Sequence, residues 1–200
     1  MNFVSEISKD EINALELNSY EGEVEIIDNT EELAQAFDQI NRHNFVGFDT
    51  ETKPMFKKGE YNPVSLLQIA IPGKVFLIRN HKTGLTQEIL RFFENRDIKK
   101  IGVALADDIK DLQKLHDFVP RGFLELNKLV KGIGIESNGL RKLTAIMLGF
   151  RISKNAQVSN WEAPTLTPKQ ITYAATDAWV CFQMFSKLDQ MGIANELING

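Results

Sequence analysis

Alternating hydrophobic and polar positions give way to helical spacing several times along the chain, and each change of period marks an element. Val24 and Ile26 alternate with glutamates within Glu23–Ile27, the two-residue repeat of a strand. Leu33, Phe37 and Ile40 then share one helical face, which predicts a helix over Glu31–Asn41 with Asn29 or Thr30 as its N-cap. Three strands follow at Phe45–Glu51, Ser65–Ile71 and Lys74–Ile78, the last two joined by a tight Pro72-Gly73 turn. Pro54, Gly59 and Pro63 make Thr52–Pro63 a loop. A helix near Leu85–Phe93 leads to a strand at Lys100–Leu105. The remainder reads as helices at Asp107–Asp117, Leu124–Lys131 and Leu140–Leu148, with a longer one after Pro168. Strands concentrated in the first half, with helices to wrap them, predict an α/β domain built on a mixed sheet.

The first 21 residues stand apart from this pattern and read as an appendage to a domain spanning 22–200. Within it, Ser8-Lys9-Asp10-Glu11 is a capping box that opens a short helix through Leu17. Neither a repeat nor a linker divides the chain, and 200 residues fit one domain. No apolar run is long enough to span a membrane, and Met1–Glu6 lacks the basic and apolar parts of a signal peptide. The single cysteine, Cys181, cannot form an internal disulfide and fits as a small apolar filler. Together these features point to a cytoplasmic protein. A net charge of −4 gives no general attraction to nucleic-acid phosphates. Acidic side chains gathered around divalent cations would invert that field locally, so their placement matters more than their number.

Three places hold carboxylates at strand or helix ends. In Phe45–Glu51, apolar residues lead directly into Asp49-Thr50-Glu51, and side chains two apart on a strand share a face. In Ile101–Asp108, a strand runs into a helix start carrying Asp107 and Asp108; one of the pair can cap the helix, but not both. Asp111, one turn on, reads as solvated. In Tyr173–Ala178, Tyr173 and Asp177 stand four apart on one helical face, flanked by small alanines that allow close approach. Each place alone has a plain structural reading as a solvated end, a cap or a surface contact.

The three in this order are more informative. Phe48-Asp49-Thr50-Glu51, then Gly102 through Asp108, then Tyr173 through Ala178 resemble the three motifs of the DEDDy 3′–5′ exonucleases, most closely ribonuclease D and the Werner-type exonuclease domains. Ser65–Ile69, Gly139–Leu143 and Ser159-Asn160-Trp161 support the likeness, which covers roughly residues 22 to 190. The resemblance implies a ribonuclease-H-like α/β fold, a mixed sheet flanked by helices. It implies hydrolysis of a DNA or RNA 3′ end to nucleoside 5′-monophosphates with two Mg²⁺ or Mn²⁺ ions. By the same carry-over, Asp49, Glu51, Asp108 and Asp177 hold the metals, with Asp49 bridging both. Asp108 faces the site while Asp107 caps the helix. Tyr173 orients the attacking water, and its ordinary pKa near 10 favours hydrogen bonding over a full base role. The histidine subgroup places its residue where Thr172 stands, and His43, His81 and His116 lie elsewhere, so the tyrosine class applies.

Around these residues, Thr50 could meet the terminal nucleotide through its backbone, and Asn160 and Trp161 could form a wall for base or sugar. Lys53, Lys57 and Lys58, and likewise Arg141 and Lys142, are open to phosphate contact or to plain solvation. Met55 or Phe56 could wedge against the terminal base, whereas Trp179 should turn away into the core. Gly132-Ile133-Gly134 lacks the third glycine and preceding strand of a dinucleotide loop. Two other readings stay open from residues alone: a nucleic-acid-binding module with a vestigial site, and a phosphodiesterase of short oligonucleotides.

Overall fold

The computed structural model describes residues 3–55 and 61–199. Six strands form one sheet: β1 Glu23–Ile27, β2 Phe45–Thr52, β3 Val64–Ile71, β4 Lys74–Ile78, β5 Lys99–Gly102 and β6 Phe123–Glu125, in the order β1-β4-β3-β2-β5-β6. β3 runs antiparallel to β2 and β4, and the other pairs are parallel. The hairpin β3–β4 closes at Pro72-Gly73, where Gly73 takes the left-handed φ of 78° that a side chain would resist. The parallel pairs need crossovers, which the helices supply. These are α1 Lys9–Ala14, α2 Leu33–Ile40, α3 Asn80–Thr83, α4 Gln87–Glu94, α5 Leu105–Leu115, α6 Leu126–Leu129, α7 Leu140–Leu148, α8 Pro168–Gln190 and α9 Ala194–Asn199. A 3₁₀ turn, Val130–Ile133, follows α6.

Both faces of the sheet are covered, and the two-residue period sorts side chains between them. On β4, Phe76 and Ile78 join Leu33, Phe37, Phe92 and Leu112 in one core, while Val75 and Leu77 join Ala174, Ala178 and Phe182 of α8 in another. The central β3 is buried along its whole length, as expected with helices on both faces. α8 starts from a capping box in which Thr167 and Gln170 satisfy each other's backbone amides, with Pro168 in the first turn. It then crosses so near β2 that a Cβ on Gly47 would collide with the Ala178 carbonyl oxygen. That close crossing brings Asp177 to the end of β2.

Three stretches differ from the sequence reading. Phe123–Glu125 is the edge strand β6, and only Leu126–Leu129 of the expected Leu124–Lys131 helix is α-helical. β5 ends at Gly102 instead of Leu105, and α5 begins at Leu105, ahead of both aspartates. The first helix stops at Ala14 although its Ser8–Glu11 capping box forms, because the chain turns to pair Leu17 with Arg151. Residues ahead of β1 are tied to the domain by backbone hydrogen bonds to Glu136, Ser137 and Arg151 and by Tyr20 N–H to the Thr176 hydroxyl. No helix among the described residues is long and apolar enough to cross a membrane.

Candidate active site

The β2 strand ends in a half-buried Asp49-Thr50-Glu51, and a register shift against β3 follows Glu51. Asp49 and Glu51 turn toward α8, the face on which Gly47 meets Ala178, and meet Asp177 there. One carboxylate oxygen from each of Asp49, Glu51 and Asp177 lies within 4.8 Å of the others. Thr50 points to the opposite face, where its hydroxyl donates a hydrogen bond to the Asp108 carboxylate on α5. Tyr173, one turn before Asp177, completes the group. Asp49, Thr50, Glu51, Tyr173 and Asp177 line a cleft of about 590 Å³ together with Arg141, Lys142, Lys154 and, from α1, Lys9 and Ile12, while Asp108 stands outside that lining.

Burial and mutual repulsion shape the charge state of the cluster. Asp49 is held well above the ordinary carboxylate range by burial first, then by Asp177, Asp108 and Glu51. Glu51 is pushed up to about 9 by burial, with Asp177 and Asp108 adding to it. Burial raises Asp177 to about 7 against the opposing pull of the Tyr173 hydroxyl. Asp108 rises to about 6, again through burial, with the Thr50 hydrogen bond opposing. The Tyr173 phenol is itself raised, by burial and then by Asp177 and Glu51, so it stays protonated and keeps its one O–H to donate.

Four carboxylates crowded this closely need positive charge. Among the described residues no lysine, arginine or histidine forms an ion pair with any of them. An all-oxygen donor set with neutral alternatives lacking suits hard divalent cations such as Mg²⁺ and Mn²⁺, which tolerate carboxylates and retain waters. Asp49, Glu51 and Asp177 form the tight triad, and Asp108 stands beside it on the far side of Thr50.

The expected wall residues lie elsewhere. Trp161 is fully buried in the core beside α8, so it cannot present a face to a base. Its buried Nε1–H has no hydrogen-bond partner, and its influence on Glu51 is a small lowering against the much larger effect of burial. Asn160 is exposed outside the cleft lining and shapes a turn: its Oδ1 accepts from Glu162 N–H at 3.1 Å and its carbonyl from Gln170 at 3.1 Å. Lys53 pairs with Glu162 at 3.4 Å. Met55 is exposed, while Phe56, Lys57 and Lys58 lie outside the described residues. Trp179 packs between Tyr20 and Phe150, and Cys181 is a buried residue at the cleft floor, one turn beyond Asp177.

Two contributors escaped the sequence reading. Asp107 does not cap α5; it is exposed and paired with Lys110 at 3.0 Å. The cap comes from Glu125 at the end of β6, whose carboxylate accepts from Ala104 N–H at 2.9 Å and Leu105 N–H at 2.8 Å. A carboxylate 20 residues downstream leaves no local spacing to find it by. Gln68 stands directly across from Asp49 in the β2–β3 register, fully buried, with neither amide atom hydrogen-bonded to protein. Only its place in Ser65–Ile69 hinted at a role.

Comparison with known proteins agrees with this geometry. A family model described as 3′-5′ exonuclease matches residues 24–193. The chain is 33% identical over 147 residues to Exonuclease 3'-5' domain-containing protein 2 of Drosophila melanogaster, covering 72% of this chain and 25% of that protein. It is 31% identical over 160 residues to the mouse Bifunctional 3'-5' exonuclease/ATP-dependent helicase WRN, covering 77% of this chain and 11% of that protein. The chain thus spans a quarter or less of these curated relatives. The fold matches the crystal structure of the Aedes aegypti Nibbler EXO domain with a TM-score of 0.79 at 23% identity, covering 90% of this chain and 99% of that one. Sequence, fold and carboxylate cluster place the chain in the 3′–5′ exonuclease domain family, with the tyrosine-bearing arrangement of its acidic motifs.

Proposed function

We propose that this domain shortens a DNA or RNA strand from its 3′ end, releasing nucleoside 5′-monophosphates. The observation that carries the proposal is the convergence of Asp49, Glu51 and Asp177 within 4.8 Å at the end of β2, beside a protonated Tyr173. Asp49, Glu51 and Asp177 would hold divalent cations, with Asp108 completing the set. Bound there, such cations supply Lewis-acid activation of water and neutralise the charge that develops on the leaving oxygen. The protein's own part is positional. Tyr173 donates a hydrogen bond that holds the attacking water in line with the terminal phosphorus. A new P–O bond forms as the bond to the penultimate O3′ breaks, leaving a 3′-hydroxyl on the shortened strand. Thr50 fixes Asp108 through its hydroxyl and itself lines the cleft where the terminal nucleotide would lie.

The test is a time course on 5′-labelled single-stranded and recessed-end DNA and RNA with Mg²⁺, Mn²⁺ or EDTA, comparing wild type with Asp49→Ala. A ladder shortening from the 3′ end, lost in EDTA and in the variant, is the expected result. Folded protein that leaves polymers intact but cleaves short oligonucleotides would move the assignment to that substrate class. Inactivity on both, with binding retained, would leave a nucleic-acid-binding module.

A further inference from the structure

The family match begins at residue 24, yet the cleft does not. We propose that the segment ahead of β1 is a working part of the substrate cleft, with Lys9 engaging the phosphodiester backbone of the bound strand. The proposal rests on the exonuclease reading above and adds a contact that lies outside the family's matched region.

Three observations support it. The segment is fixed in place: the Ser5 carbonyl accepts from Glu136 N–H at 2.9 Å and Ser137 N–H at 3.1 Å. Arg151 donates from its backbone to the Glu16 carbonyl at 2.9 Å and from Nε to Leu15 at 3.0 Å. Tyr20 N–H reaches the Thr176 hydroxyl at 3.0 Å, one residue from Asp177, so the segment is anchored to the catalytic helix itself. Secondly, this anchoring seats Ile12, only 5% exposed, and Lys9 in the same cleft as Asp49, Glu51 and Asp177.

Thirdly, the cleft's cations are not held in ion pairs. Lys9 shares it with Arg141, Lys142 and Lys154, and among the described residues none of the four forms an ion pair. The Nε of Arg141 is shut off from water without a hydrogen-bond partner. In a chain of net charge −4, unpaired cations gathered in one cleft suit a polyanion, and phosphate contacts of this kind read no base sequence. Lys9 is exposed, so its ammonium can reach a phosphate without leaving a packed site.

Binding of 5′-fluorescein single strands of two and eight nucleotides to Asp49→Ala protein, followed by anisotropy across a KCl series in Mg²⁺, isolates this contact from turnover. Adding Lys9→Glu should weaken the eight-nucleotide strand about fivefold or more and lower the log–log salt slope by about 0.7, the value for one single-stranded phosphate contact. Adding Lys9→Arg should keep both. Glutamate suits the first turn of a helix, so α1 should survive, and the unfolding midpoint checks that it does. Equal affinity of Lys9→Glu and its parent, or a loss that Lys9→Arg shares, overturns the assignment while leaving the exonuclease reading intact. If the parent binds neither strand, both fall together.

Discussion

Burial and three neighbouring carboxylates hold Asp49 well above its ordinary pKa, so its charge costs the folded chain stability whenever no cation shares the site. Activity and stability therefore respond oppositely to its removal. Asp49→Ala should lower kcat on a labelled oligonucleotide by roughly a thousandfold or more, as loss of a group acting only as part of a unit does. In EDTA near neutral pH the same variant should melt a few degrees higher, on the order of 1 kcal/mol for a domain this size. An unchanged or lower melting point would show that the carboxylate is comfortably solvated. Tyr173→Phe should fall between these limits, at roughly a hundredfold in kcat, because it removes one donated hydrogen bond and leaves every carboxylate in place. At this scale the sequence was informative wherever spacing sets direction: two-residue spacing puts Asp49 with Glu51, and four-residue spacing puts Tyr173 with Asp177. Trp161 is not legible in this way, because an aromatic beside a motif is equally suited to a wall or a core, and only packing on α8 decides it.

Glu125 shows what local pattern cannot reach at the scale of elements. α5 begins after Ala104, whose φ of 62° is strained for a residue with a side chain, and Ala104 itself offers no side-chain cap. β6 delivers Glu125 to the Ala104 and Leu105 amides because it pairs with β5, which feeds α5. A three-residue strand carries too short a period to be seen, so Phe123–Glu125 blends with the helical pattern that follows and the local sequence offers only the aspartates as caps. Glu125→Ala should cost about 0.5–2 kcal/mol in denaturant unfolding, the range for a lost N-cap. It should also lower kcat, since the first turns of α5 carry Asp108 into its bond with Thr50. Asp107→Ala, which removes only an exposed pair with Lys110, should change stability by less than about 0.5 kcal/mol. Equal effects from the two would mean that Glu125 is not the cap.

For the molecule as a whole, stability follows from protons held by two sites of opposite sign. Unfolded carboxyls release their protons near pH 4, but in the folded chain Asp108 holds on to about 6, Asp177 to about 7 and Glu51 to about 9. Across that window the native state binds more protons than the unfolded one, so stability falls as pH rises. Lys100 works the other way. Its sequence, Lys99-Lys100, looks like a solvated pair, yet strand alternation turns Lys100 inward, where its ammonium donates to the Phe92 carbonyl at 3.0 Å and the Asn95 carbonyl at 2.7 Å. Burial lowers it to about 7, so above that pH the unfolded chain carries a proton that the native chain has lost, and stability rises with pH. In EDTA the melting temperature should therefore drop between about pH 5 and 7 and fall less steeply above, where Lys100 opposes the protons still held by Glu51 and Asp49. Lys100→Met removes that opposition, so in the variant the decline between about pH 7 and 9 should be steeper than in the wild type. Mg²⁺ or Mn²⁺ stabilises by RT ln(1 + [L]/Kd), and Kd tightens as the carboxylates shed their protons. The gain in melting temperature on adding metal should accordingly grow from about pH 5 to 8. A profile flat from pH 5 to 7, with no response to either cation, would refute both the crowded carboxylates and the metal site they are assigned to form.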